Sequence, residues 1–197
     1  MTVVETDRIA MADESDELTL DSLFGSLEAM PVPEGYKVEI VGGTITMSPQ
    51  RDTHWAIIRR IVRALEDRFG MDVTALSDVR IDFPGHLNGF APDVAKLADG
   101  ADRDAKGKWH ANDVRFVAEV LSRSTALNDY GPKKIAYATA GVPVYLIVDP
   151  YIGRCHVYTE PKEGEYAVDR TINFGEEIDL TGTDVDLVIK TDGFPRD

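Results

Sequence analysis

Two carboxylates interrupt apolar stretches of this chain: Asp93, directly behind Pro92, and Glu119, inside the run Phe116 to Leu121. That run is short, β-branched and nearly unbroken, the pattern of a strand buried on both faces. A carboxylate in its middle loses water on every side, and an unpaired buried charge is costly. A cation, a metal or a proton must compensate it. If the strands of Asp93 and Glu119 are neighbours, the two acids converge, and hard oxygen ligands at one point suit Mg2+ or Mn2+. The backbone carbonyl of Val120 is a candidate third ligand. The plainer alternative is that Asp93 is a turn residue and Glu119 pairs with a lysine for structure alone.

A third group belongs with these two. If Asp129 caps a helix, Lys133 lies in its first turn, where the positive end of the helix dipole disfavours a cation by roughly 0.3–1 kcal/mol. A negative neighbour would offset this: Glu119, Asp93 or a phosphate. Tyr137, four residues on, shares that helix face, while Lys134 points about 100° away toward solvent. The alternative for Lys133 is an ordinary surface lysine.

The elements that must position these groups can be read from spacing. Phe116 to Leu121 and Val144 to Val148 flank a helical segment long enough for a crossover, which predicts a βαβ unit with parallel strands. Gly141 and Pro143 end its helix. Upstream, Leu20, Leu23, Phe24, Leu27 and Met30 predict an amphipathic helix capped by Thr19. Tyr36 to Val41 and Thr44 to Met47 flank Gly42-Gly43, a hairpin signal. Asp52 or Thr53 caps a long helix to about Phe69 with Trp55, Ile58, Ile61, Val62 and Leu65 as its apolar stripe. Strands follow near Asp72 to Leu76 and Val79 to Phe83. Pro92 implies a strand start or an edge, and Asp99 to Asp113 reads as a polar loop. Arg154 to Thr159 and Glu165 to Val168 are further strands, and Thr171 to Ile189 is less regular, a candidate for another short strand pair.

Composition sets the outer bounds. At 197 residues with 43% apolar content, one compact domain over residues 18–190 is expected, with a tail at 191–197. Residues 1–17 are acidic and polar, and disorder is expected there. No apolar run approaches ~18 residues, so no membrane span is expected. A head without a basic, apolar signal and a single cysteine point to the cytoplasm. The formal net charge of −14 opposes broad electrostatic binding to nucleic acid, which favours a basic surface. A paired-carboxylate glycosidase is the weakest class considered, because an aromatic-rich cleft is missing.

Pro92-Asp93, Glu119-Val120-Leu121-Ser122, Ser124-Thr125, Asp129, Lys133, Tyr137, Ala140-Gly141-Val142-Pro143, Tyr145 and Val148-Asp149-Pro150 together resemble the Uma-type family of bacterial restriction endonucleases. Glu39, Gly43, Met47, Pro49 and His54 extend the likeness, which covers about Tyr36 to Ile189. That family belongs to the PD-(D/E)XK nuclease superfamily. The resemblance implies an α/β (α+β), restriction-endonuclease-like core: a mixed central sheet flanked by helices, with a hairpin-rich C-terminal part. It also implies a Mg2+- or Mn2+-dependent endonuclease that cuts DNA phosphodiesters, with a homodimer expected because duplex cleavage needs two cuts. Carried over, Asp93 and Glu119 bind the metal, and Lys133 completes the catalytic set. Glu39, His54 and Tyr137 stand around them. The superfamily usually places a lysine two residues after the acid. Here that position is Leu121, so the resemblance hands the amine to Lys133. A catalytically inactive scaffold that kept the fold is the alternative, favoured by Leu121 and the acidic balance.

Overall fold

The computed structural model describes residues 18–197; the acidic segment 1–17, expected to be disordered, lies outside the described residues. The chain opens with α1 (Leu20–Glu28), capped by Thr19 and Ser22 in a reciprocal pair of hydrogen bonds. Met30 falls beyond this helix and is exposed. β1 (Tyr36–Val41) and β2 (Thr44–Pro49) form the antiparallel hairpin. Its turn is Gly42-Gly43, both at positive φ, 57° and 75°, a conformation that β-carbons disfavour. α2 (Asp52–Phe69) follows, entered through Arg51 without a side-chain cap. Neither Asp52 nor Thr53 caps it; both are already helical.

Ile57, Ile58, Ile61 and Leu65 of α2 are buried, each contributing about 1.5–3 kcal/mol. Trp55 is 60% exposed and is not part of that stripe. Next come β3 (Ala75–Leu76), β4 (Ile81–Phe83), β5 (Asn88–Phe90) and β6 (Val94–Leu97). The expected polar loop after Asp99 holds a two-residue strand, β7 (Trp109–His110). β8 (Val114–Val120) carries Glu119.

The crossover helix differs from the sequence expectation. It starts as α3 (Ala126–Asn128), widens into a π-helical turn over Asp129–Lys133, and continues as α4 (Lys134–Thr139). Asp129 is therefore inside the helix and not its cap, and Lys133 is beyond the first turn. Pro132 explains the widening, since it has no N–H to give to the regular ladder. β9 (Val144–Asp149), β10 (Arg154–Lys162) and β11 (Glu165–Asn173) complete a meander longer than the predicted strands. β12 (Glu177–Asp179) and β13 (Val188–Lys190) pair with each other, the further short strand pair expected in that less regular segment.

Six strands form a sheet in the order β11-β10-β9-β8-β6-β3, and five form a second, β2-β1-β5-β4-β7. In the larger sheet β8 and β9 are parallel, joined by the helical crossover as the spacing predicted, and the other pairings are antiparallel. Alternation sorts the side chains. Val94, Phe116, Ala118, Val120 and Leu146 face α2 and the β12–β13 pair. Ala95, Leu97, Val117, Tyr145 and Ile147 face α4 and the second sheet, meeting Tyr137, Phe83 and Phe90. α1 packs on β5 at Gly89, where a β-carbon would lie 2.5 Å from Phe24 Cε2.

Candidate active site

Asp93 and Glu119 have the parity of the second of these faces. Val94 pairs with Ala118, so the register carried one residue further sets Asp93 against Glu119. From the adjoining sheet β1 adds Lys37 and Glu39, two residues apart and so on one strand face. From the helix come Asp129, Lys133 and Tyr137. The side chains of all these groups are nearly or fully buried.

The geometry is that of a tight charge cluster. Lys133 Nζ lies 2.6 Å from Glu119 Oε1, 3.0 Å from Asp129 Oδ1 and 3.1 Å from Glu39 Oε2. Lys37 Nζ lies 2.6 Å from Asp93 Oδ1, 3.3 Å from Glu119 Oε2 and 3.9 Å from Glu39 Oε2. Tyr137 donates to Glu119 Oε1 at 2.7 Å. Val120 N–H donates to Asp93 Oδ2 at 2.7 Å, and Ala91 N–H to Glu39 Oε1 at 2.9 Å. Thus every carboxylate has an ammonium, a hydroxyl or a backbone amide as partner, as buried charge requires.

The electrostatics follow. Burial pushes the Glu119 carboxyl up, but Lys133, Lys37 and the Tyr137 bond outweigh it and hold the group down at about 2. Burial raises Asp129 to about 7, with Glu119 repelling its charge and Lys133 only partly offsetting this. Burial alone would weaken both ammoniums. Their acidic neighbours instead raise Lys133 and Lys37 above the ordinary lysine value.

His54, on the first turn of α2, lines the same small cavity, about 10 Å3, as Asp93, Glu119 and Lys133. That is room for about one water. Its ring is buried, and burial lowers its pKa, so it stands neutral. The Leu121 backbone faces the ring, yet neither ring nitrogen finds a hydrogen-bond partner of good geometry among the described residues. The cavity that the ring lines can hold a water to satisfy it.

Of the residues singled out in the sequence, Asp93, Glu119, Lys133, Glu39 and Tyr137 come together here, and Val120 and His54 line the cavity. Leu121 packs into the apolar core and offers no amine. Ser122 bonds Ser124, and the Thr125 side chain caps nothing. Arg59, Arg60 and Arg63 are exposed along a separate groove of about 1090 Å3 between α2 and β13. Lys37 and the inward role of Asp129 were missed. A signal for Lys37 existed: it is two residues before Glu39 on a strand.

The donor set fits a divalent cation chemically. Four carboxylates face two ammoniums, so with all of them ionised two negative charges are in excess; Asp129 is raised first by its burial and only then by repulsion from Glu119 and Glu39. The oxygens are hard, as Mg2+ and Mn2+ require. Among the described residues no three His, Cys, Asp or Glu side chains are already gathered around one metal position; the two lysines stand between them.

A family model, Uma2, described as "Putative restriction endonuclease", matches residues 24–190. Among solved structures, a crystal structure titled as "a putative nuclease belonging to DUF820 from Anabaena variabilis ATCC 29413" is similar to this chain. The TM-score is 0.63 at 17% identity over 82% of this chain and 88% of that one. At that identity the likeness speaks for the fold, a restriction-endonuclease-like α+β core. No curated protein matches. No helix among the described residues is long and apolar enough to cross a membrane.

Proposed function

The chain belongs to the Uma2 family of restriction-endonuclease-like proteins, and from that premise we propose that it is a divalent-metal-dependent endonuclease hydrolysing DNA phosphodiester bonds. The observation that carries this reading is the convergence of Asp93, Glu119 and Lys133, from three separate elements, on one buried point. Asp93 and Glu119 would hold Mg2+ or Mn2+, with the Val120 carbonyl as a further oxygen. When bound, the ion would polarise the scissile phosphate and lower the pKa of a coordinated water.

The chain's own groups do the rest. Lys133 stays charged at neutral pH and presents a fixed cation to the negative charge that grows on phosphorus-bound oxygens. Tyr137 and Lys133 fix the orientation of the Glu119 carboxylate through the same oxygen, Oε1. Glu39, held by Ala91 N–H, keeps Lys133 aimed at the cluster. His54, neutral and with no well-formed side-chain bond among the described residues, can accept a hydrogen bond from a water in the cavity. A symmetric dimer would bring two sites to the two strands of a duplex; light scattering that gives only the 21.7 kDa monomer at high concentration removes this element.

The test is supercoiled-plasmid nicking in Mg2+ or Mn2+, comparing wild type with Glu119→Ala and Lys133→Ala. Nicking by wild type alone is expected. Equal nicking by all three, or none by a protein shown to be folded, sinks the proposal. One observation favours a second reading, a non-catalytic scaffold: the Lys37 ammonium already lies between Asp93 and Glu119. Calorimetry with Mn2+ separates the two, because a scaffold gives no heat that Asp93→Ala removes.

A further inference from the structure

The four oxygens of Asp93 and Glu119 are divided into two pairs. Asp93 Oδ2 is bonded to Val120 N–H, and Glu119 Oε1 to Lys133 and Tyr137. The other two, Asp93 Oδ1 and Glu119 Oε2, share Lys37 Nζ at 2.6 and 3.3 Å. Among the described residues the only other bond to this second pair is a long one, 3.4 Å, from Asp93 N–H to Glu119 Oε2. We propose that Lys37 is a resident counter-ion in the place of the divalent cation, so that metal binds only by displacing its ammonium. The inference rests on the metal-dependent reading above.

Three arguments carry it. First, a magnesium ion bridging Asp93 Oδ1 and Glu119 Oε2 at about 2.0–2.1 Å would need the space between those two oxygens that the Lys37 ammonium fills, and the two like charges repel. Occupancy is therefore exclusive. Second, the two lysines differ in freedom. Lys133 projects from inside a helix and is clasped by three carboxylates within 3.1 Å, whereas of the three that Lys37 reaches only Asp93 lies that close, Glu119 standing at 3.3 Å and Glu39 at 3.9 Å. Lys37 projects from the start of β1, next to exposed Tyr36, on a flexible four-carbon stem. It can swing to the rim while the strand stays in place, and its departure frees the two oxygens that lack other strong donors. Third, exchange of a monovalent for a divalent charge reduces the excess negative charge of the cluster. Lys37 thereby sets the metal concentration that the site requires, and the apo protein keeps its carboxylates paired.

The experiment is calorimetric titration of Mn2+ into wild type, Asp93→Asn, Lys37→Met and Lys37→Gln, with folding of each checked by circular dichroism. Wild type should bind and Asp93→Asn should not. Both Lys37 variants should bind on the order of 10–100-fold more tightly, the scale of one charged hydrogen bond that the ion no longer has to break. If Asp93-dependent binding appears in wild type but the Lys37 variants bind no tighter, this inference fails and the metal reading stands. If no form binds, both fail. Should neither Lys37 variant fold, wild type alone decides. Acetic anhydride labelling read by mass spectrometry should rise at Lys37 on saturation with Mg2+ while Lys133 stays protected. Unchanged or reduced labelling of Lys37 overturns the inference.

Discussion

Replacement of Lys133 by methionine tests the charge cluster most directly. Methionine keeps much of the stem volume and removes the ammonium that lies within 3.1 Å of Glu119, Asp129 and Glu39. Removing one partner of a buried ion pair costs about 3–5 kcal/mol, because the remaining charge stays buried without compensation. Asp129 offers a relief, since its pKa is already raised from 3.8 to about 7 and it can take a proton. The sign follows from that shift. A carboxyl with a raised folded pKa contributes stability that is complete below its unfolded value and is lost as pH rises through the folded value. Without Lys133 the folded pKa of Asp129 climbs further. The penalty of Lys133→Met should then be smallest near pH 6, where Asp129 is protonated in both proteins. Above pH 7 it should grow by about 1.4 kcal/mol per pH unit until the variant's own pKa is passed. Urea denaturation followed by circular dichroism in EDTA, at pH 6 and pH 8, reads both numbers. A penalty below ~1 kcal/mol at pH 8 would contradict the buried-pair magnitude, and equal penalties at the two pH values would refute the Asp129 argument.

Four further outcomes are expected. Tyr137→Phe removes one 2.7 Å bond to a buried carboxylate but keeps the edge-on ring contacts with Phe83 and Phe90; equilibrium denaturation should show a loss of about 1.5–3 kcal/mol, and no loss would mean that the hydroxyl is not engaged. The Glu119 carboxyl is held down at about 2 from an ordinary 4.5, so its stabilisation is present above pH 4.5 and is lost as pH falls through about 2. Glu119→Gln should accordingly flatten the acid limb of the stability–pH curve, and an unchanged limb would count against the assignment. Cys155 is fully buried and its thiol is pushed up to about 12, so Ellman's reagent should find no reactive thiol in the native protein and one in urea. Gly89→Ala would drive a β-carbon into Phe24 and Leu20; a loss of about 1–3 kcal/mol with faster amide exchange in Leu20–Glu28 is expected, and unaltered exchange there would show that α1 does not depend on this contact.

Glu119 and Asp93 were legible in the sequence because each breaks an apolar run, and a break in a pattern survives without coordinates. Their shared face follows from the period of two once the strands are neighbours. Tyr137 follows from Lys133 by helical spacing. Lys37 obeys the same period-two rule from Glu39, but a lysine near the start of a strand looks like solvent-facing charge until the second sheet, which carries it, is seen to face the larger one. Asp129 misled for a different reason. An acid shortly before Gly131 and Pro132 looks like a helix entrance, and only the π-helical turn shows that Pro132 is accommodated inside a helix begun at Ala126. The hairpin and β4 of the second sheet were read, but the sheet as a whole was hard to see because β5 and β7 span only two or three residues, too short for any periodicity to register. Trp55 fits the apolar spacing of α2 but is exposed, since one face of a helix is wider than the seam it buries.

The cluster is also an argument against structure for its own sake. Well-packed apolar side chains in place of a buried ion-pair network are commonly neutral or stabilising, so four carboxylates, two lysines and an unpaired imidazole form an expensive way to fill the space between two sheets. Their location has its own logic. Glu119 stands near the carboxyl end of β8, at the one parallel pairing in the larger sheet, and the crossover helix that begins there supplies Lys133. Crevices at such ends are where α/β sheets bind ligands. Residues 1–17 hold six of the acids and one arginine, so residues 18–197 still carry a formal charge of −9, which opposes a polyanion at long range. For a phosphate entering the site, the field at its mouth decides. There a lysine released from Asp93 and Glu119 would meet the anion with a positive charge that the metal-free cluster keeps internally engaged.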